Sequence, residues 1–199
     1  MGILRKHRLA LIIIMGHFVF GMLYSVSVPI WEAYDEWGHY PYVRYIATHY
    51  SLPPRNRRLV EHNDTVVSQP PLYYILGAVA TSWIDTSDWR DPIENRYSSL
   101  PTAMGGYNRA LHGYDEDFPW SGWVLAVHLT RFVSVFLTTI TVGLTYLIGR
   151  ALFPTRHEIA WGAMAICAFW PQFLFIGSVI NNDNLVGTFA ALILSLIHI

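Results

Sequence analysis

The sequence predicts an all-α fold: a polytopic transmembrane helical bundle with one large external loop that carries interfacial helices. Three observations predict it. Apolar runs long enough to cross a hydrocarbon core of about 30 Å recur along the chain. Charged residues make up only 14% of the 199 residues, against about 25% in a typical soluble domain, and they cluster between the apolar runs. Eight Trp and twelve Tyr fall mostly near the ends of those runs, where amphipathic rings prefer the membrane–water interface.

The first span reads 9–28. Arg5, Lys6 and Arg8 precede it, which places the N-terminus in the cytoplasm by the positive-inside rule. A cleaved signal peptide is the competing reading. Its apolar region would run only about 7–15 residues and would end in a small-residue cleavage site; this run is longer and no such site follows. Either way, the residues after Val28 are exported.

The second span reads 123–149, the third 159–180, and a fourth starts at 185. Between the second and third lies a short hinge with Arg150, Pro154, Arg156 and His157, which its basic charge assigns to the cytoplasm. The second span then runs inward and the third outward, so Asn181-Asn182-Asp183-Asn184 belongs at an outer end. The expected location is the plasma (inner) membrane. The apolar stretch 70–84 is too short for an upright crossing. A crossing there would also invert the hinge and the acidic segment 85–117 against the charge rule, so it reads as a re-entrant or interface-lying helix.

The external loop, 29–122, holds Asp35, Glu36, Glu61, Asp64, Asp85, Asp88, Asp91, Glu94, Asp115, Glu116 and Asp117. Within it, 101–107 is turn-rich, and Asn63-Asp64-Thr65 is a glycosylation sequon. The last apolar run stops at Ile199 without a polar flank. Residues 194–199 read as the in-frame translation of a sequencing adapter, so 1–193 is expected to be the N-terminal part of a longer protein.

Several function classes drop out. A net charge of −1 offers no polyanion surface, hence no nucleic-acid partner. Cys167 is the single cysteine, which removes an intrachain disulfide and cysteine-based metal sites. His157-Glu158 opens like a zinc-protease helix, but Trp161 stands where the second histidine ligand is required. Phosphate-cradling glycine loops and the G-x-S-x-G elbow are absent from the sequence.

Four groups of polar residues remain. Asp35 and Glu36 follow the first span, flanked by Trp31, Tyr34 and Trp37. Adjacent carboxylates that repel each other and lose solvent hold protons more readily, as a general base near neutral pH requires. If the segment is helical, Asp35 and His39 share a face at i,i+4; the plain alternative is a solvated acidic loop. Gln69-Pro70-Pro71-Leu72-Tyr73-Tyr74 starts a helix in which the prolines sacrifice no needed N–H, and its tyrosines suit an interface. His128 and Arg131 stand inside the outer part of the second span, where a cation needs a partner or a polar cavity. Arg131 offers a donor fork that suits a phosphate, or it snorkels to headgroups. Asn182 and Asp183, with Asn181 and Asn184, either line a site or cap a helix.

In this order the four groups resemble the N-terminal part of the GT-C membrane glycosyltransferases, the protein O-mannosyltransferase and aminoarabinose transferase group above all. The resemblance covers nearly the whole chain. It rests on Asp35-Glu36 with His39, then 69–74, then Arg131 opening a span that ends Gly149-Arg150-Ala151-Leu152-Phe153-Pro154, then 178–185. It implies inverting transfer of a sugar from a polyprenyl-phosphate donor to a glycan, lipid or protein acceptor on the exoplasmic face. By that resemblance Asp35 is the base, and Glu36 assists or binds acceptor or a divalent metal, as in metal-using relatives. Arg131 would meet the lipid phosphate, while His39, Gln69, Tyr73, Asn182 and Asp183 would line the substrate site. The family often has Lys or His where this chain has Gln69, which weakens a cationic clamp there. A transporter or lipid flippase with a polar site near the outer face is the alternative; such sites typically lie at the midplane.

Overall fold

A computed structural model describes residues 7–33, 35–54, 68–98 and 108–197. Arg5, Lys6, Tyr34, Glu61, the sequon at 63–65, the turn-rich 101–107 and the last two residues of the adapter-like tail lie outside the described residues. The fold is all-helical. The helices are α1 (Arg8–Ser27), α2 (Glu36–His49), α3 (Leu72–Thr81), α4 (Gly122–Leu152), α5 (His157–Phe169), α6 (Pro171–Gly177) and α7 (Asp183–Ile197), with a 3-10 turn at Tyr114–Glu116. Among the described residues, β pairing is confined to one isolated bridge between Glu94 and Ala110.

Among the described residues, two helices, α1 and α4, are long and apolar enough to cross a membrane, and the bent pair α5–α6 would make a third. The outward surface of α1 is itself apolar: Leu11, Ile12, Met15 and Leu23 are 47%, 57%, 62% and 54% exposed. A helix with an apolar exterior suits lipid better than water. The expected third span, 159–180, is instead two helices bent by 59°. Pro171 causes the break. The residue before a proline is pushed out of the α region, and Trp170 is extended with φ −65° and ψ 119°. Stretch 70–84 forms the 10-residue α3, about 15 Å long at 1.5 Å per residue, half of what an upright span needs.

The chain divides into two compact units, Met1–Ser25 with Phe132–Ile199, and Val26–Arg131. In the first, Ala10, Ile13, Val142, Tyr146, Ala160, Met164 and Ala168 form the core. A close approach of α4 to α5 sets its geometry, because a Cβ on Gly149 would stand 2.8 Å from the Ala160 Cα. His17, a polar residue buried within α1, has partners on other helices: Nδ1 donates to the Ala168 carbonyl at 2.8 Å and Nε2 lies 3.2 Å from Thr138 Oγ1. At the start of α7, Asn181 Oδ1 accepts the Asp183 N–H at 2.8 Å, and Asn184 Nδ2 donates to the Ile176 carbonyl at 3.0 Å.

The second unit packs α2 against α3. Gly77 permits the contact, since a Cβ there would meet Val43 Cγ1 and Thr130 Cγ2 at 3.0 Å each. Tyr73 and Tyr74 are fully buried in this packing.

Gly149→Val should lower the melting temperature of the detergent-solubilised protein, by an overpacking cost of about 1–3 kcal/mol. Gly162→Val, with no atom within 4 Å of the added Cβ, should stay within about 0.5 kcal/mol of wild type. Equal melting of the two variants would remove the close approach from the account.

Candidate functional site

The site begins with a buried charge. Arg131, on α4, and Glu36, the first residue of α2, have side chains with 0% exposure. Their contact is bidentate: Arg131 Nε donates to Glu36 Oε1 at 2.8 Å and Nη2 donates to Oε2 at 2.6 Å. Fork-to-fork geometry of this kind is the strongest form of the pair. The guanidinium also donates to two backbone carbonyls, Val28 at 2.7 Å and Pro29 at 3.2 Å. Glu36 Oε2 in turn accepts the Trp31 N–H at 3.1 Å. The turn between α1 and α2 is therefore wrapped around one cation.

That wrapping shapes the backbone. Trp31 has φ 73° and Asp35 φ 64°, in the left-handed region that costs an ordinary L-residue about 1–2 kcal/mol. Asp35 sits just outside α2 as its N-cap, without a side-chain capping bond, while its carbonyl accepts the N–H groups of Gly38 and His39 at 2.9 and 3.1 Å. Its side chain is exposed. The two neighbouring carboxylates thus have opposite surroundings: Glu36 is neutralised inside, Asp35 faces out.

Aromatic rings wall the turn. Trp31 stacks on Trp123 at 5.8 Å and 12°, and meets Trp89 edge-on at 5.6 Å and 82°. Arg44 lies over Trp89 at 5.5 Å, in cation–π range. Tyr40 donates to the Trp123 carbonyl at 3.3 Å, and burial pushes its phenol above the usual tyrosine range. On the far side of α2, His39 Nδ1 lies 2.8 Å from Tyr74 Oη.

The sequence-based expectations fall into three groups. Asp35, Glu36, His39, Gln69, Tyr73 and Arg131 all belong to one compact unit, whereas Asn182 and Asp183 belong to the other. The i,i+4 face shared by Asp35 and His39 is corrected: Asp35 lies outside the helix and exposed, and His39 is buried toward Tyr74. Arg131, expected to face a partner or a polar cavity or to snorkel to headgroups, has its donor fork turned onto Glu36 and two carbonyls, with no exposed side-chain surface. Gln69 is half-buried in the turn before α3, and Tyr73 packs edge-on against Tyr74 at 5.6 Å. Asn182 is buried and Asp183 exposed at the start of α7. Among the described residues, no three His, Cys, Asp or Glu side chains converge to hold a metal ion.

One cluster escaped sequence reasoning. His112 Nδ1 lies 2.8 Å from Glu116 Oε2, and its Nε2 lies 3.1 Å from Glu32 Oε1. Burial pushes the Glu116 carboxyl above the ordinary glutamate range, with His112 opposing the shift. Only the i,i+4 spacing of His112 and Glu116 hinted at it.

No family model, curated protein or solved structure matches this chain.

The left-handed geometry at residue 35 has a direct test in thermal melts. Asp35→Gly should melt at or above wild type, because glycine adopts positive φ freely. A β-branched residue there is a genuine outlier, so Asp35→Val should be less stable by about 1–2 kcal/mol. A valine variant as stable as wild type would refute the held conformation.

Proposed function

We propose that this chain belongs to a GT-C-like membrane glycosyltransferase, which moves a sugar from a polyprenyl-phosphate donor to an acceptor on the exoplasmic face. One observation carries the reading: an exposed Asp35 carboxylate, on a left-handed backbone, anchored beside a fully buried Glu36–Arg131 pair. Strained, over-determined backbone is a recurrent property of functional positions, and a base must hold a fixed place relative to its substrate. The order of the four sequence motifs, the apolar exterior of α1 and the basic residues flanking the spans support the same reading.

In this mechanism the acceptor hydroxyl gives its proton to the Asp35 carboxylate as its oxygen bonds to the anomeric carbon. The bond from that carbon to the phosphate oxygen breaks on the opposite face, inverting the centre, and polyprenyl phosphate leaves with the bonding electron pair. Glu36 and Arg131 are positioning residues: they hold the turn that presents Asp35 and do not meet the substrate. The chain's spans lie in the plasma membrane, with the N-terminus cytoplasmic and the Asp35 turn outside. A transporter would use a membrane-embedded arginine as a substrate contact; the inward pairing of Arg131 favours the enzyme.

Transfer from a labelled polyprenyl-phosphate sugar, measured with the complete protein in lipid, tests the assignment. Asp35→Asn should lower the rate by about a hundredfold or more, as loss of a general base does, while melting stays near wild type. Unchanged transfer would reject Asp35 as the base.

A further inference from the structure

One end of the first unit gathers cations from three helix termini. His7 Nδ1 lies 2.7 Å from Tyr146 Oη, which fastens the chain entering α1 to the last turns of α4. Arg8 follows His7 in the chain, and Arg150 follows Tyr146 by about one helical turn. The Arg150 guanidinium rests on the His157 ring, with Nη1 at 3.2 Å from Nε2, so the start of α5 joins the same end. Arg156 stands next to it in sequence.

Acidic groups are scarce there. Glu158 pairs with Arg156 at 2.9 Å, with both side chains well exposed, and a pair so open to solvent contributes little. Among the described residues, neither Arg8 nor Arg150 has a carboxylate within salt-bridge distance. His157 engages Arg150 through Nη1 alone, which leaves the donors on Nε and Nη2 for an outside acceptor. The neighbours of these cations are apolar and exposed. Leu9 adjoins Arg8, and Leu147, Leu152 and Phe153 lie within three residues of Arg150.

This combination selects the partner. An acidic peptide would meet the guanidinium groups and leave the leucines in water. A neutral hydrocarbon surface would cover the leucines and strand the charges. An anionic lipid does both: its phosphate accepts the guanidinium donors, which fit that anion as a fork, and its chains cover the apolar neighbours. Holding Arg150 against His157 before the lipid arrives also lowers the entropy lost on binding.

We infer that Arg8, Arg150 and His157 form a binding site for the headgroup of an anionic phospholipid, whose chains lie along Leu9, Leu147, Leu152 and Phe153. The site rests on α1 and α4 spanning a membrane, for which both are long and apolar enough, and is independent of the proposed transfer chemistry.

The whole chain in phosphatidylcholine vesicles, with traces of spin-labelled lipid, tests the site through the share of each label whose motion the protein restricts. Wild type should restrict labelled phosphatidylglycerol in preference to labelled phosphatidylcholine. Arg150→Gln should cut that preference roughly fivefold, the scale of one arginine at an anionic surface. Arg96→Gln removes the same charge from the second unit and should leave the preference unchanged. Equal restriction of the two labels by wild type, an undiminished preference in Arg150→Gln, or an equal loss in Arg96→Gln would each overturn the site. Inorganic phosphate that erases the preference at constant ionic strength would do so too, by assigning the cations to a free anion. If Arg150→Gln fails to fold, Arg8→Gln, at the exposed start of α1, decides with the same expected loss.

Discussion

A guanidinium buried against a glutamate governs this loop. Removing a carboxylate and a guanidinium from water costs several kcal/mol per ion, and the cost is offset only when the geometry is good and the remaining donors find acceptors. Arg131 meets both conditions, through the two Glu36 oxygens and the carbonyls of Val28 and Pro29. The backbone must then bring two consecutive carbonyls and the Trp31 N–H to one point. Positive φ at Trp31 and at Asp35 is the visible consequence. Trp31, stacked on Trp123 and edge-on to Trp89, completes the packing of the turn.

Adjacent residues thereby acquire different tasks. A pair of neighbouring carboxylates reads in sequence as one acidic unit, with mutual repulsion tuning both. Folding separates them: Glu36 becomes part of the interior, and Asp35 keeps its side chain in the open at a fixed place. The same logic extends to His39, which faces Tyr74 and fastens α2 to α3. Several of the polar residues near Asp35 hold the scaffold, and the chemistry proposed for the turn falls on a carboxylate that the scaffold leaves exposed.

How much of this was legible in the sequence varies with the range of the signal. The long apolar runs gave α1 and α4 to within a few residues, because a run of twenty apolar residues has few alternatives to a helix. Pro171 is local chemistry and its break could have been foreseen, yet hydropathy alone merged α5 and α6 into one span. The partner of Arg131 was not legible. An arginine in an apolar run announces that a partner exists, but Glu36 is ninety-five residues away in sequence, and a phosphate was an equally good acceptor. His112 stayed hidden for the same reason, since its contact with Glu32 joins residues eighty positions apart.

A double-mutant cycle on Glu36→Gln and Arg131→Met, read as unfolding free energy of the solubilised protein, tests the central interaction directly. Each single variant should lose about 3–5 kcal/mol, the cost of stranding a buried charge. The double variant should be no worse than the weaker single, giving a coupling of about 2 kcal/mol or more. Small losses that simply add would contradict the account, for they would mean that the two side chains do not hold the turn together.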